Sequence, residues 1–211
     1  MNIIQDNYLI KRTSKTHIEK ILSQNPNWKV LDVGCGYAAN EYATTISDIL
    51  DLSDHYRDKT FVKITEKKLP FKDKEFDFVI ASHVAEHVED ISFFLNELSR
   101  VGRKGYIEVP TKLEDNLVFE NKKAHIWHLL FDDVNNQLNI SKKIQYIEPV
   151  LTVSTIKKFN DYFRESLVIE LYWEDSIEFN IVENNPKISQ KISTLNLLKK
   201  YFSKKIRSIL K

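Results

Sequence analysis

Apolar positions along this chain keep two rhythms. Short apolar runs read as strands: Trp28–Val33, Ile46–Leu50, Phe61–Ile64, Phe76–Ser82, Tyr106–Val109, Leu167–Trp173 and Ile177–Val182. Between them the spacing stretches to the helical period. Residues 13–25 place Ile18, Ile21 and Leu22 on one face behind Ser14, an N-cap type, and Tyr37–Thr44 reads as a short helix. Ile91–Val101 turns Phe94, Leu95, Leu98 and Val101 inward, and Val153–Phe163 aligns Ile156, Phe159 and Phe163. Strands alternating with helices predict an α/β three-layer sandwich around a mostly parallel sheet of seven strands. The last two strands, joined by Glu174-Asp175-Ser176, predict a closing C-terminal antiparallel hairpin.

The breaks in this rhythm divide the chain. Gly102 and Gly105, with Arg103 and Lys104 between them, read as a turn before the fifth strand. Residues 111–150 lose the period and carry His125, Trp127, His128 and Phe131, which suits an insertion over the mouth of the sheet, acting as a lid or acceptor loop. Asn184-Asn185-Pro186 ends a domain of residues 1–186. Beyond it, residues 188–210 form an amphipathic helix with Ile188, Ile192, Leu195, Leu198, Phe202, Ile206 and Ile209 on a stripe.

Charge sharpens that boundary. The whole chain is nearly neutral at +1, yet residues 187–211 hold Lys187, Lys191, Lys199, Lys200, Lys204, Lys205, Arg207 and Lys211 and no acid. The remaining body is net acidic, which argues against a nucleic-acid partner. The basic tail suits three occupants: the domain's own surface, a second copy in a homodimer, or an anionic membrane surface. One cysteine, no export signal at the start and no apolar run of spanning length lead us to expect a cytoplasmic protein, with the tail suited to the inner face of the membrane.

The chemistry concentrates where glycine does. Only four glycines occur, and two of them follow the first strand in Val30-Leu31-Asp32-Val33-Gly34-Cys35-Gly36. Glycine there permits a tight turn and close approach of a ligand to the backbone. Gly34-x-Gly36-x-x-Ala39 also satisfies a loose dinucleotide fingerprint, so the turn alone leaves two cofactor classes open. Asp32 ahead of the glycines, Leu69-Pro70-Phe71, Phe76-Asp77-Phe78-Val79-Ile80 and Ser82-His83-Val84-Ala85-Glu86-His87-Val88 pull away from the dinucleotide reading. On these residues, over about 29–110, the chain resembles the class I S-adenosylmethionine-dependent methyltransferases of the type 11 kind, whose fold is Rossmann-like.

That resemblance implies S-adenosylmethionine as cofactor and S-adenosylhomocysteine as product. It implies that Gly34 and Gly36 pass the amino-acid portion, with Asp32 near its ammonium group. Asp51 would take the ribose hydroxyls and Leu52 would pack on the adenine. Thr65 and Glu66 fall near the adenine amino group, and Ser82 and His83 near the sulfonium. The chain departs from the pattern in carrying Tyr37 and then Ala38 after the turn, and in a short segment before Asp51.

Methyl transfer chiefly requires alignment and exclusion of water. An oxygen acceptor also benefits from a base, for which His83 stands first by position, followed by His87 and His125. His125 and His128 lack a defined third ligand, so no metal is expected. Cys35 reads as a small buried residue. Ile107-Glu108-Val109-Pro110, the insertion and Tyr172-Trp173-Glu174-Asp175 also resemble, more loosely, methyltransferases of surface-polysaccharide assembly. The expectation is O-methylation of a small or saccharide acceptor. The rivals are an NAD-dependent oxidoreductase and a non-catalytic binding module of the same fold.

Overall fold

The computed structural model describes residues 10–184 and 192–209. In chain order its elements begin β1 (Ile10–Arg12), α1 (Lys15–Ser23), β2 (Val30–Val33), β3 (Thr45–Asp48), β4 (Thr60–Lys63), β5 (Phe76–Ser82) and α2 (Ile91–Val101). They continue with β6 (Gly102–Pro110), α3 (Lys112–Leu117), α4 (Asn121–Ala124), β7 (Trp127–Asp132), β8 (Gln137–Lys142), α5 (Val153–Leu167), β9 (Val168–Glu174), β10 (Phe179–Ile181) and α6 (Thr194–Ile209). The main sheet has seven strands in the order β1-β9-β6-β5-β2-β3-β4. β2 to β6 are parallel, and β9 lies antiparallel between β6 and β1. From β2 the chain builds outward through β3 and β4, then returns to lay β5 and β6 on the other side. The switch falls between β2 and β5, where a crevice opens at the carboxyl ends of the strands.

Alternation along the strands fills two cores. Val79 and Ala81 of β5 join Leu31, Val33, Ile107 and the inward face of α2, whereas Phe78 and Ile80 join Val30, Ile46, Tyr106 and the Ile18 and Leu22 of α1. Ser14 caps α1 by accepting from the His17 N–H, and Asp90 caps α2 by accepting from the Phe93 N–H. The α2 face, with Phe94, Leu95, Leu98 and Val101 inward, forms as its period predicts.

Several elements differ from the sequence expectation, each for a local reason. Residues 37–44 form no helix. The Asn40 N–H donates to Asp32 Oδ2 and the Ala39 N–H to the Tyr56 hydroxyl, so side chains outside the segment take the donors a helix would use. β3 stops at Asp48 rather than at Asp51, because Asp48 Oδ1 accepts from the Leu50 N–H and turns the chain outward. Gly102 and Gly105 lie inside β6 and make no turn. A Cβ on Gly105 would sit 2.4 Å from the Val79 carbonyl oxygen and 2.5 Å from the Trp173 ring. These glycines make room for Trp173, which is fully buried.

The insertion is regular. β7 and β8 form an antiparallel hairpin, and β10 adds to β8 in parallel, giving a second sheet of three strands. Its Leu129, Phe131, Leu138 and Ile140 share the core of α2. The expected hairpin of Ile177–Val182 with the preceding strand is therefore absent. β10 pairs in the second sheet, and β1, whose three residues gave no clear run, takes the seventh place. In α5, Ile156 is buried while Phe159 and Phe163 are exposed, because a non-helical φ/ψ at Phe163 breaks the face. No residue of α6 is buried, and Ile188 of the expected stripe lies outside the described residues. Among the described residues no helix is long and apolar enough to cross a membrane.

Asp32 is 5% exposed beneath the turn, and burial raises its pKa from 3.8 to about 6 against the opposing Asn40 hydrogen bond. A carboxyl whose folded pKa is raised binds its proton more tightly in the fold, so stability falls as pH rises from about 4 to 6. Asp32→Asn keeps an oxygen for the Asn40 N–H. It should flatten that fall and leave the protein up to about 3 kcal/mol more stable at pH 7, read by urea denaturation across pH. Equal slopes for both proteins would refute this. Gly105→Ala should cost about 3 kcal/mol or more, because its Cβ meets backbone and a locked indole. A loss under about 0.5 kcal/mol in the same assay would show that the strands slide apart freely.

Candidate functional site

A cleft of about 800 Å³ occupies the crevice at the switch point. Val33 and Gly34 line it after β2, Asp48 and Ile49 after β3, Ile64, Thr65 and Glu66 after β4, and His83, Val84 and His87 after β5. Gly34 has φ +69°, and Gly36 has φ +51° with nothing within 4 Å of where a Cβ would project. Both conformations favour glycine. The volume is that of a small-molecule site, large enough for a nucleoside bearing an amino-acid chain.

The acid at the base of this cleft is Asp48. It is 7% exposed, and its Oδ2 accepts from the Gly36 N–H while Oδ1 accepts from the Leu50 N–H. Each oxygen keeps a further lone pair, so the pair suits a vicinal diol. Asp51, expected in this role, is on the surface with its carboxylate on Ser53 and 3.6 Å from Lys63. The strand ends two residues earlier than its apolar run suggests, and the acid moves with it. Leu52 likewise faces the core with Ile46 and Phe78, and Ile49, 72% exposed, presents the apolar surface to the cleft instead. Thr65 and Glu66 do line the cleft. Asp32 and Ser82 are not among its lining residues. Asp32 points to Asn40, and Ser82 pairs with Glu108 across the sheet. Burial pushes the Cys35 thiol up to about 12, which leaves it protonated and unreactive.

The histidines arrive from two sides. His83, directly after β5, holds φ +56°, a strained value for a non-glycine residue at a strand end. Its Nε2 lies 3.1 Å from Glu108 Oε1 and its Nδ1 3.3 Å from Glu86 Oε1. Packing disfavours the imidazolium, but these two carboxylates prevail and raise its pKa to about 10. His83 is thus a cation and a donor at neutral pH, and the expected role of general base does not suit it. Glu108 is held down to about 2: burial opposes its charge, and His83, the Tyr106 hydroxyl and Arg164 overcome that. Arg164 Nη2 donates to Glu108 at 2.8 Å and to Glu170 at 2.9 Å, so α5 and β9 brace the same cluster.

His87 lines the cleft, and its Nδ1 lies 3.1 Å from the Ala124 carbonyl. A carbonyl only accepts, so Nδ1 carries the proton and Nε2 the lone pair. His125 packs edge-on against His87, with ring centroids 4.4 Å apart, and its Nδ1 lies 2.7 Å from Asp115 Oδ1. Asp115 also meets His128 Nε2 and Lys143 Nζ, each at 2.8 Å, which hold its carboxyl far below the usual range despite its burial. Three of the expected site histidines therefore gather at one end of the cleft, with Asp115, Glu108 and Arg164 as partners that sequence reasoning did not single out. Glu114 is a further missed acid, 5% exposed and raised to about 6, chiefly by burial. Glu108 left one trace in the sequence, as an acid inside the apolar run Tyr106-Ile107-Glu108-Val109.

A family model described as a methyltransferase domain matches residues 31–107, the stretch that carries the cleft. An uncharacterized protein of Methanocaldococcus jannaschii is 30% identical over 171 residues, covering 74% of this chain and 72% of its own length. A ubiquinone biosynthesis O-methyltransferase of Rickettsia bellii is 30% identical over 142 residues, covering 60% of this chain and 55% of its own. The chain thus spans about half the length of that enzyme. Among solved structures, the PH0226 protein from Pyrococcus horikoshii aligns over 77% of this chain and 92% of its own at 17% identity, with a TM-score of 0.41. A matched domain with a glycine turn, a buried acid and a nucleoside-sized cleft leads to one conclusion: residues 31–107 are a methyltransferase domain of the class I S-adenosylmethionine-dependent kind, with S-adenosylmethionine as its cofactor.

Proposed function

We propose that this chain methylates a hydroxyl oxygen of a small polyhydroxylated acceptor of the saccharide class, in the assembly of cell-surface glycan. The observation that carries this reading is the continuity of one cleft from Asp48 at the cofactor end to His87 at the other. S-adenosylmethionine, when bound, would supply an electrophilic methyl carbon whose bonding pair returns to sulfur as the acceptor oxygen takes the methyl and loses its proton. Gly34, Gly36 and Asp48 would hold its amino-acid and ribose portions, with Thr65 and Glu66 toward the base. His83, cationic between Glu86 and Glu108, donates at the mouth of β5 and takes no proton. His87 brings its Nε2 lone pair to the acceptor end of the cleft.

Two further observations support the acceptor class. A groove of about 370 Å³, sharing Glu89, Asp90 and Lys67 with the cleft, adds Ser92, Trp127 and Lys142, a dense set of donors and acceptors for hydroxyl groups. The relative from Rickettsia bellii is by name an O-methyltransferase, which supports oxygen as the atom methylated. The oxidoreductase reading is disfavoured by the turn itself. It opens no helix to receive a pyrophosphate, and Asp32 and Asp48 are buried beside it.

S-adenosylhomocysteine should bind in calorimetry, and Asp48→Asn should weaken it about tenfold to a hundredfold while Asp51→Ala stays within about twofold. Binding of NAD with no response to S-adenosylhomocysteine would overturn the assignment of the cleft. Mass spectrometry over sugar nucleotides, glycan fragments and a catechol should find the added methyl on a sugar hydroxyl; methylation of the catechol alone would overturn the acceptor class.

For the tail we propose contact with an anionic membrane surface. The exposed Leu195, Leu198, Phe202, Ile206 and Ile209 share one side of α6, with Lys199 and Lys205 at its edges, where long cationic side chains reach headgroups. The full chain should float with phosphatidylserine vesicles and not with neutral ones, and Phe202→Asp with Ile206→Asp should abolish flotation. Equal flotation of that variant would exclude the tail as the anchor.

A further inference from the structure

Glu86 is the most anomalous side chain near the cleft. It is fully buried, and neither carboxylate oxygen has a hydrogen-bond partner. His83 Nδ1 approaches Oε1 at 3.3 Å and leaves Oε2 with nothing. A buried carboxylate without donors is costly unless a positive charge meets it. Two imidazoles stand beside it. Glu86, His87 and His125 each offer one ligand atom, all within 4.8 Å of one another.

We propose that Glu86, His87 and His125 bind one divalent first-row metal ion, of the zinc or manganese kind, at the acceptor end of the methyl-donor cleft. This deepens the methyltransferase reading above and rests on it. Two imidazoles and a carboxylate are a donor set that such ions favour, and three protein ligands leave a position for an acceptor oxygen. The supporting shell is already in place. The Ala124 carbonyl fixes His87 with Nε2 as its lone pair, and Asp115, itself held by Lys143 and His128, stands 2.7 Å from His125 Nδ1. Carboxylate and carbonyl partners of this kind orient metal-binding imidazoles. Two hydrogen bonds lock the halves together: the Ile126 N–H donates to the Glu86 carbonyl at 2.8 Å, and the Trp127 indole Nε1 donates to the Val88 carbonyl at 2.8 Å. Ligand atoms about 3.4 Å apart surround a tetrahedral ion with bonds near 2.1 Å, so binding draws the three residues closer together.

An ion there would polarise an acceptor hydroxyl and ease loss of its proton to solvent. His128, paired with Asp115, is excluded as a ligand. The metal centre therefore draws on the loop after β5 and on the chain between α4 and β7.

The test uses the full chain stripped with a chelator, then dialysed against Zn²⁺ or Mn²⁺. Elemental analysis should find one ion per chain, and Mn²⁺ binding should be visible by electron paramagnetic resonance. His87→Ala and His125→Ala should each weaken binding about a hundredfold, Asp115→Asn about tenfold, and His17→Ala not at all. Because His87 is exposed, its variant should keep the wild-type circular dichroism, whatever becomes of Glu86→Gln. Retention of the ion by His87→Ala and His125→Ala, or no stoichiometric binding by the wild type, would overturn the metal site. S-adenosylhomocysteine affinity should survive the chelator, and its absence in the stripped wild type would count against the cofactor reading alone.

Discussion

The main-chain carbonyl of Glu86 is where the two sheets meet. It accepts from Ile126 and approaches the Trp127 N–H at 3.3 Å, directly before β7 leaves for the second sheet. Its side chain lies 3.3 Å from the His83 ring. One residue therefore sets the height of the insertion over the cleft and the charge at the end of the central strand. Release of those main-chain bonds would separate His125 from His87. The carbonyl and amides at this junction are largely shielded, so no water competes for them and the penalty for leaving them unpaired enforces the register.

A second constraint is charge balance in a dry interior. Glu86, Glu108, Glu114, Asp115 and Glu170 are all buried in one region. Arg164 answers Glu108 and Glu170, Lys143 answers Asp115, and His83 lies between Glu108 and Glu86. Such clusters contribute little net stability, because desolvation offsets attraction, but losing one partner is severe. Their value here is positional. They fix where α3, α5 and β9 end relative to β5, and hence where His83 sits. The strain of its positive φ persists because both ring nitrogens and its main-chain N–H are engaged, the latter with the Glu108 carbonyl at 2.8 Å.

How much of this was legible in the sequence varied with the reach of the interaction. The Phe76–Ser82 strand and the Ile91–Val101 helix emerged with their bounds intact, because their apolar periods are long and their caps local. The glycine turn was legible because Gly34 and Gly36 stand two apart directly after an apolar run. Asp48 was not. The run Ile46–Leu50 conceals a strand that ends halfway, and only the Asp48 side chain folding back on Leu50 reveals it. β1 was missed and β10 misplaced because three-residue strands carry no period, so partners distant in sequence decide their sheet. The glycines of β6 misled for the same reason. What requires them is an indole from β9, some seventy residues away.

The attachment of the second sheet through backbone groups has one more consequence. The contacts of Ile126 and Trp127 with Glu86 use amide hydrogens that every residue but proline possesses. Side chains on β7 and β8 that face outward can therefore vary without unfastening the insertion. The cofactor cleft is tied to a few irreplaceable atoms, while the second sheet is hung on generic ones. A chain built this way can rewrite a hairpin and leave the cleft beside it untouched.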